Sequence, residues 1–271
     1  MDQSASSLRL LFTFSILSVF LSTASVFGAP RLKEEYVTYT ANGVTMKGYV
    51  VYDQDKKGKR PGVLVVPEWW GFNDYVRMRA RELAGLGYIA MAVDMYGNGK
   101  IAANPQEAQE LSAPFYKDPE LGKVRLDAAI QKIRQYPETD HANIAAMGYC
   151  FGGGVVLNSA CLGADLKGVV SFHGSLGGIQ APKNRLKARI LVCHGADDKF
   201  VSQKDVSEFK HKMDSIGARY TVKVYPGATH AFTNPAATQV GKQFNMPIAY
   251  NEAADKHSWQ DMKAFFQQLF H

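Results

Sequence analysis

Apolar and polar positions follow two different periods along this chain. From residue 36 onward, short apolar or β-branched runs alternate with longer stretches in which apolar residues recur at helical spacing. This alternation is typical of a mostly parallel central sheet flanked by helices, so we expect one α/β domain. Strands are expected at residues 36–40, 46–52, 62–67, 88–93, 144–147, 168–172, 190–193 and 221–225. Helices are expected from residue 76, within 104–136, over 202–216 and along the C-terminal segment.

The first 28 residues differ from the rest. A short polar start is followed by a nearly continuous apolar run over residues 10–21, and small and polar residues come next. This order is typical of a secretory signal peptide over residues 1–28, with the mature domain at 29–271. An uncleaved anchor is the alternative, but about a dozen apolar residues is short for a span of about 20. We expect a secreted or periplasmic protein with no stable membrane span after cleavage.

Composition places the mature chain among ordinary globular domains. Hydrophobic residues make up 46% of the 271 positions and charged residues 21%, which allows a sizeable core in one domain. The net charge is +6, but the basic residues are scattered and form no stripe with interleaved aromatic residues. Nucleic-acid binding is therefore not expected.

The sequence contains three cysteines, Cys150, Cys161 and Cys193, with no zinc or disulfide spacing. Three thiols cannot all pair within one chain, so at least one stays free. Cys161 lies 11 residues after Cys150 on the same expected helix, roughly 16 Å away at 1.5 Å per residue, which excludes a disulfide between them. Cys193 ends a buried strand and is expected to be a packed hydrophobic residue, at a distance from Cys150 that the sequence does not give.

The segment Gly148-Tyr149-Cys150-Phe151-Gly152 carries the strongest chemical signal. It has the Gly-x-nucleophile-x-Gly form, with Cys in place of the usual Ser, and it joins an expected strand to an expected helix. The nucleophile of such a turn occupies a strained backbone, so larger side chains at the glycines would collide with the strand or the helix. The turn also places the nucleophile at the N-terminus of a helix, where backbone N–H groups can stabilise an oxyanion.

A base must assist this thiol, because a cysteine with its ordinary pKa of about 8.5 is only slightly ionised at neutral pH. Candidate partners follow two later strands. Asp197 and Asp198 come after the strand at 190–193, and His230 comes after the strand at 221–225. The order nucleophile, acid, histidine is that of α/β-hydrolases. In this arrangement His230 shuttles the proton and one of the two aspartates orients the imidazole.

Several motifs together resemble the dienelactone hydrolase family. They are Pro67-Glu68-Trp69-Trp70-Gly71, Asp94-Met95-Tyr96, Gly148-Tyr149-Cys150-Phe151-Gly152-Gly153, Gly195-Ala196-Asp197-Asp198-Lys199-Phe200-Val201 and His230-Ala231-Phe232, and the resemblance spans roughly residues 36–270. It implies the α/β-hydrolase fold and a triad of Cys150, Asp198 and His230. It also implies that Glu68 takes the thiol proton when substrate binds, and that the backbone N–H groups of Trp69 and Phe151 form the oxyanion hole.

Other site residues have competing interpretations. Glu68 could instead form an ion pair with Arg77 or Arg81. Tyr96 and Trp69 or Trp70 could line the substrate pocket, although large aromatic residues beside a strand end are more often part of the core or the rim.

The chain departs from the family at two positions. Family members that act on dienelactone hold its carboxylate with two arginines, where this chain has Asn98 and Asn234. Asparagine offers neither the charge nor the bidentate fork of arginine. We therefore expect a small neutral ester or lactone as substrate, with Asn98 and Asn234 in the pocket.

The resulting hypothesis is a monomeric or loosely associated ester or lactone hydrolase that needs no cofactor or metal. Two alternatives stay open. One is a non-catalytic small-molecule binding protein on the same fold, and the other is a thiol redox protein in which Cys193 resolves an oxidised Cys150.

Overall fold

The computed structural model describes Met1 and residues 30–271, so the predicted signal peptide lies outside the described residues apart from Met1. In chain order the elements are β1 (Leu32–Ala41), β2 (Val44–Asp53), β3 (Arg60–Val66), α1 (Asp74–Gly85), β4 (Ile89–Val93), α2 (Pro105–Lys117), α3 (Pro119–Ile133), β5 (Thr139–Tyr149), α4 (Phe151–Cys161), β6 (Gly168–Phe172), β7 (Arg189–Gly195), α5 (Gln203–Ser215), β8 (Tyr220–Tyr225), α6 (Ala237–Phe244) and α7 (Glu252–Phe270). Over this range, no helix has both the length and the apolar character needed to cross a membrane.

The eight strands form one sheet in the order β1-β2-β4-β3-β5-β6-β7-β8. The β1–β2 and β2–β4 pairs are antiparallel, and every pair from β4–β3 to β7–β8 is parallel. From β3 the chain crosses to β4 on one side, then returns to β5 on the other. Ligands of open α/β sheets bind at such a switch, beyond the carboxyl ends of the strands.

Helices cover the sheet on both faces. Alternate residues of β3 point to opposite sides, so Leu64 and Val66 enter one core cluster while Val63 and Val65 enter the other. Helices α1 and α7 cover the second cluster, and α3, α4 and α5 cover the first. The central strands are therefore apolar on both faces, as the sequence pattern predicted.

The first two strands, which the sequence predicts at residues 36–40 and 46–52, form a β-hairpin. Ala41 pairs with Val44, and Asn42 and Gly43 form a two-residue turn with φ angles of 48° and 73°. Asparagine and glycine tolerate these angles better than other residues do, which explains why the turn falls here.

The helical region 104–136 divides into two helices, and the break has a local cause. Pro119 has no N–H and therefore suits the first turn of a new helix. The side chain of Asp118 caps α3 by accepting the N–H of Glu120. Helix α6 was not predicted from the sequence.

Candidate active site

Cys150 occupies a sharp turn between β5 and α4. Its φ of 50° and ψ of −115° lie outside the helical and strand regions, which is costly for a residue with a Cβ. Two acceptors hold the backbone N–H in this conformation, the carbonyl of Phe172 at 3.0 Å and Nδ1 of His173 at 3.1 Å. The half-buried Cys150 side chain lines a cavity at the carboxyl edge of the sheet.

The two glycines of the motif are required by close backbone contacts. A Cβ at Gly148 would lie 2.1 Å from the carbonyl oxygen of Gly152, and a Cβ at Gly152 would lie 2.5 Å from the carbonyl oxygens of Val66 and Pro67. The opposing atoms are all backbone, so they cannot move aside cheaply. The collisions predicted from the motif are therefore present, with β3 as the main obstacle at Gly152.

His230 and Asp198 meet across the loops that follow β8 and β7. Nδ1 of His230 lies 2.8 Å from Oδ2 of Asp198, and both side chains are buried. The other oxygen of Asp198 accepts the backbone N–H groups of Phe200 at 2.8 Å and Val201 at 3.1 Å. The neighbouring Asp197 is exposed, and within residues 30–271 its side chain forms no hydrogen bond with His230. The geometry thus selects Asp198 over Asp197.

The charges of this pair support each other. Burial alone would raise the pKa of Asp198, but hydrogen bonds from His230 and from two backbone N–H groups outweigh it and lower that pKa below its usual value. Burial likewise opposes an imidazolium, yet the negative charge of a Cys150 thiolate and the hydrogen bond to Asp198 raise the pKa of His230 to about 10. A protonated His230 is therefore stabilised by the Asp198 carboxylate and by the Cys150 side chain whenever that thiol is ionised.

Glu68 follows β3 and is buried against the same cavity. The side-chain amide of Asn234 donates to its Oε2 at 2.7 Å. Burial raises the pKa of Glu68 to about 7, and the hydrogen bond from Asn234 and the charges of His230 and Arg79 only partly counter this effect. A carboxyl group with this pKa can both accept and release a proton near neutral pH.

The alternative ion pairs for Glu68 are wrong. Arg77 pairs with Asp74, and Arg81 pairs with Glu34. Both arginines lie on helix α1, away from the cavity, because the chain turns through Gly71 before the helix begins.

The two N–H groups expected to form an oxyanion hole belong to Trp69 and Phe151. Trp69 directly follows Glu68, and Phe151 is the first residue of α4. Within residues 30–271, neither N–H has a hydrogen-bond acceptor. The N–H of Gly152 donates to the carbonyl of Pro67 at 3.1 Å and so ties the start of α4 to the segment that carries Trp69. The assignment of these two donors stays a prediction that this geometry allows.

The cavity in front of Cys150 has about 560 Å³ of space, part of it open to solvent. Trp69 and Trp70 line it, as expected, together with Glu68, Cys150 and His230. Among the described residues, its lining contains no lysine or arginine. The sequence did not single out the rest of the lining, which is Tyr116, Ser175, Phe200, Ala231, Met246 and Ile248.

Tyr96 and Asn234, which were expected in the pocket, do not line the cavity. Tyr96 stands behind the cavity wall, where its hydroxyl donates to the carbonyl of Trp69 at 2.9 Å and its ring packs on Phe151. Asn234 also lies behind the wall and holds Glu68.

The pocket prediction for Asn98 is wrong, since its side chain is exposed and its N–H donates to Thr45 in the hairpin. The reason is Asp94, whose carboxylate accepts the N–H groups of Tyr96, Gly97 and Gly99 and curls the loop away from the cavity.

A buried histidine behind the nucleophile was missed from the sequence. Burial, with the nearby charges of His230 and Arg79, holds the pKa of His173 well below its usual value, so the ring is neutral. Because Nδ1 accepts the N–H of Cys150, Nε2 carries the proton and donates to Thr233 Oγ1 at 2.7 Å. His173 directly follows the end of β6, and a polar residue after a strand is the same sequence feature that identified Asp198 and His230.

The remaining thiols are separated from Cys150. All three cysteines are free, and β6 lies between β5, which leads directly into Cys150, and β7, which contains Cys193. Two strand spacings amount to about 9.5 Å, beyond the Cα separation of about 7 Å that a disulfide allows. Burial also raises the pKa of both Cys161 and Cys193 to about 12. Neither buried thiol is suited to resolve an oxidised Cys150.

The sheet, the nucleophile turn and an acid and a histidine after successive strands define an α/β-hydrolase. The family model of the dienelactone hydrolase family matches residues 46–270. The chain belongs to this family, and membership makes it a hydrolase of esters or lactones.

Individual relatives align with this chain over most of their length. Protein usf of Aquifex pyrophilus is 28% identical over 240 residues, which cover 86% of this chain and 98% of that protein. The crystal structure of a dienelactone hydrolase-like promiscuous phosphotriesterase from metagenomic libraries matches with a TM-score of 0.81 at 32% identity, covering 89% of this chain and 99% of that one. A thermophilic esterase from Thermogutta terrifontis shares the fold, with a TM-score of 0.62 at 17% identity over 87% of this chain and 92–94% of the known chains.

The contacts at Gly152 predict a large cost for a single methyl group there. Gly152→Ala should lower the free energy of unfolding by at least about 2 kcal/mol, because the new Cβ meets backbone atoms of β3. Urea unfolding followed by circular dichroism measures the change. The control is Gly85→Ala, at an exposed helical position with open space, which should be neutral or stabilising by up to about 1 kcal/mol. Equal stability of the two variants would contradict this account of the turn.

The environment of Glu68 predicts a pH-dependent stability. Its pKa is higher in the folded state, so the unfolded state loses the proton first and the wild-type free energy of unfolding falls from about pH 4.5 to about pH 7. The Glu68→Gln variant lacks this effect. Its stability relative to wild type should rise across that range by up to about 3 kcal/mol, at about 1.4 kcal/mol per pKa unit.

Taking the difference between the two proteins removes the contributions of the titratable groups that do not interact with Glu68. The matched control is Glu110→Gln, an exposed position on α2 that should track wild type at every pH. A constant difference between Glu68→Gln and wild type from pH 4 to 8 would refute the buried, proton-binding carboxyl group.

Proposed function

We propose that this protein hydrolyses small neutral carboxylic esters or lactones through a covalent acyl intermediate on Cys150. The observation that carries the proposal is the placement of a strained, cavity-facing cysteine beside a histidine that is bonded at 2.8 Å to a buried aspartate. A nucleophile, a proton carrier and a group that orients the carrier are the parts that acyl transfer needs.

In the first half-reaction the Cys150 thiolate attacks the ester carbonyl carbon. The carbonyl oxygen becomes negative and is stabilised by the N–H groups of Trp69 and Phe151. As the C–O bond breaks, the protonated His230 gives its proton to the leaving alkoxide, and the alcohol departs. Asp198 keeps Nδ1 of the ring bonded throughout, so that Nε2 is the nitrogen that exchanges protons.

The second half-reaction returns the enzyme to its starting state. His230 takes a proton from water, the resulting hydroxide attacks the thioester carbonyl, and the acid leaves as the thiolate re-forms. The sum is one ester and one water converted to one acid and one alcohol. For a lactone the alcohol and the acid remain joined in one product.

Glu68 is proposed as an auxiliary base for the thiol. It lines the same cavity as Cys150, and burial sets its pKa to about 7, so that it is partly ionised under neutral conditions. It can take the thiol proton when His230 is already protonated, which keeps the nucleophile available.

Charge in the cavity decides the substrate class. The lining is mostly aromatic and aliphatic and contains no lysine or arginine among the described residues. Asn98 lies outside the cavity, and the amide of Asn234 is committed to Glu68. A substrate carboxylate would therefore meet the buried Glu68 without a cationic partner, which is unfavourable. Neutral esters and lactones are favoured over dienelactone itself.

The triad predicts the behaviour of two variants. Cys150→Ala and Asp198→Asn should each lower kcat for p-nitrophenyl butyrate by about 10³-fold or more, because each removes a member of a cooperating unit. The rate is measured as the release of p-nitrophenolate from this ester by the purified protein, residues 29–271. Asp197→Asn is the matched control for Asp198→Asn, since Asp197 is exposed and Asp198 is the carboxylate that is bonded to His230.

Two results would contradict the proposal. One is a Cys150→Ala variant as active as wild type, and the other is a wild-type protein inactive on every ester and lactone tested. The second result, with retained binding of neutral esters, would favour the small-molecule binding protein instead. A kcat/KM for dienelactone above that for the neutral esters would contradict the assignment of substrate class.

A further inference from the structure

A second cavity lies beside the active-site cavity. It contains about 460 Å³ of space, part of it open to solvent, between helices α2, α3 and α4 and the loop after β6. Tyr116 and Ser175 line both cavities, and Phe151 of the nucleophile turn forms part of the second. The two cavities therefore adjoin each other, and Phe151, the neighbour of Cys150 in the chain, lines the second one.

Missing side chains create this space. Four of its lining residues are glycines, at positions 122, 154, 177 and 178. A Cβ at Gly122 would lie 3.2 Å from Val155, so even one methyl group there would narrow the cavity.

The second cavity is suited to an uncharged, apolar group. Phe115, Phe151 and Val155 supply the bulky apolar side chains of its wall, and no charged residue lines it among the described residues. The amide of Asn158 is already used, because its Oδ1 accepts the N–H of Gln180 and its Nδ2 donates to a backbone carbonyl of α4. No unpaired charge awaits an ionic ligand here, and burial of hydrocarbon is the favourable interaction that remains.

The geometry of acyl transfer indicates which part of a substrate reaches this space. The carbonyl oxygen points to the donors at Trp69 and Phe151, and the leaving oxygen must lie next to His230 to receive its proton. His230 shares its side of the cavity with Phe200, since the two rings are 5.1 Å apart. The remaining substituent of the carbonyl carbon is the acyl chain, which points away from the leaving oxygen at His230. Tyr116 and Ser175 form the part of the cavity wall that is shared with the second cavity.

We infer that the second cavity is the acyl-chain subsite of the enzyme, which receives the alkyl or aryl part of the acid beyond the first few carbons. This inference rests on the proposed function. Tyr116 stands at the junction near the end of α2, edge-on to Phe151 at 5.9 Å, and its side chain is 54% exposed. It can therefore swing outward without disturbing the core when a long acyl chain enters.

The test is a series of p-nitrophenyl esters with acyl chains of two, four, six and eight carbons. Val155→Phe fills the cavity, and Val155→Ala enlarges it. The expected result is a ratio of kcat/KM for hexanoate to that for acetate that falls at least tenfold in Val155→Phe and is equal or higher in Val155→Ala. A second series keeps the acetyl group and lengthens the alcohol, and its profile should be the same in both variants.

The outcomes separate this inference from the proposed function. If wild type hydrolyses no ester, the proposed function fails first. If acetate is hydrolysed but filling the cavity changes all acyl lengths equally, or changes the alcohol series instead, the subsite assignment is overturned. Thermal unfolding checks that each variant is folded. If Val155→Phe does not fold, Gly122→Ala replaces it. The ratio of kcat/KM for hexanoate to that for acetate should then be lower in Gly122→Ala than in Val155→Ala, by less than in Val155→Phe.

Discussion

The site depends on the close backbone contact between the start of α4 and the end of β3. The N–H of Gly152 donates to the carbonyl of Pro67, and no side chain fits between the two segments. This contact exists because β3 and β5 are neighbours in the sheet, with Val66 paired to Gly148. It holds Trp69 and Phe151 on adjoining segments, and Glu68 lines the same cavity as Cys150. Loss of this contact would separate Cys150 from Glu68 and from the N–H groups that we propose as the oxyanion hole.

A second set of buried contacts holds the same turn from behind. The neutral His173 accepts the N–H of Cys150 and donates to Thr233, whose hydroxyl is 2.7 Å from that of Tyr75. Arg79 donates to the carbonyl of Thr233 and forms an ion pair with Asp255 on α7. Helices α1 and α7 are thereby joined to the loop that carries His230. The strained conformation of Cys150 is thus supported by contacts that reach helices α1 and α7.

The parts of this site that could be predicted are those encoded locally. The Gly-x-Cys-x-Gly segment identifies a strand-to-helix turn, and the order of Cys150, Asp198 and His230 follows from strands that end at one edge of the sheet. The buried strands were predicted for the same reason, since their apolar runs are continuous.

What could not be predicted depends on contacts between distant segments. The pairing of Asn234 with Glu68 joins residues 166 positions apart, and the burial that raises the pKa of Glu68 arises only when those segments pack. Asn98 was misplaced because the Asp94 carboxylate turns its loop toward the hairpin, which a spacing from Tyr96 does not reveal. His173 carries no motif, and its role is visible only once β5 and β6 lie side by side.

The central claim is that Cys150 is the acyl acceptor, and a covalent trap tests it most directly. A β-lactone acylates the nucleophile while its leaving alkoxide stays attached, so the protein gains the mass of one whole lactone. Peptide mapping by mass spectrometry should place that adduct on Cys150, with ester hydrolysis lost in proportion to the adduct and no adduct in Cys150→Ala. An adduct on another residue that tracks the loss of activity, or full activity with Cys150 completely modified, would contradict the account.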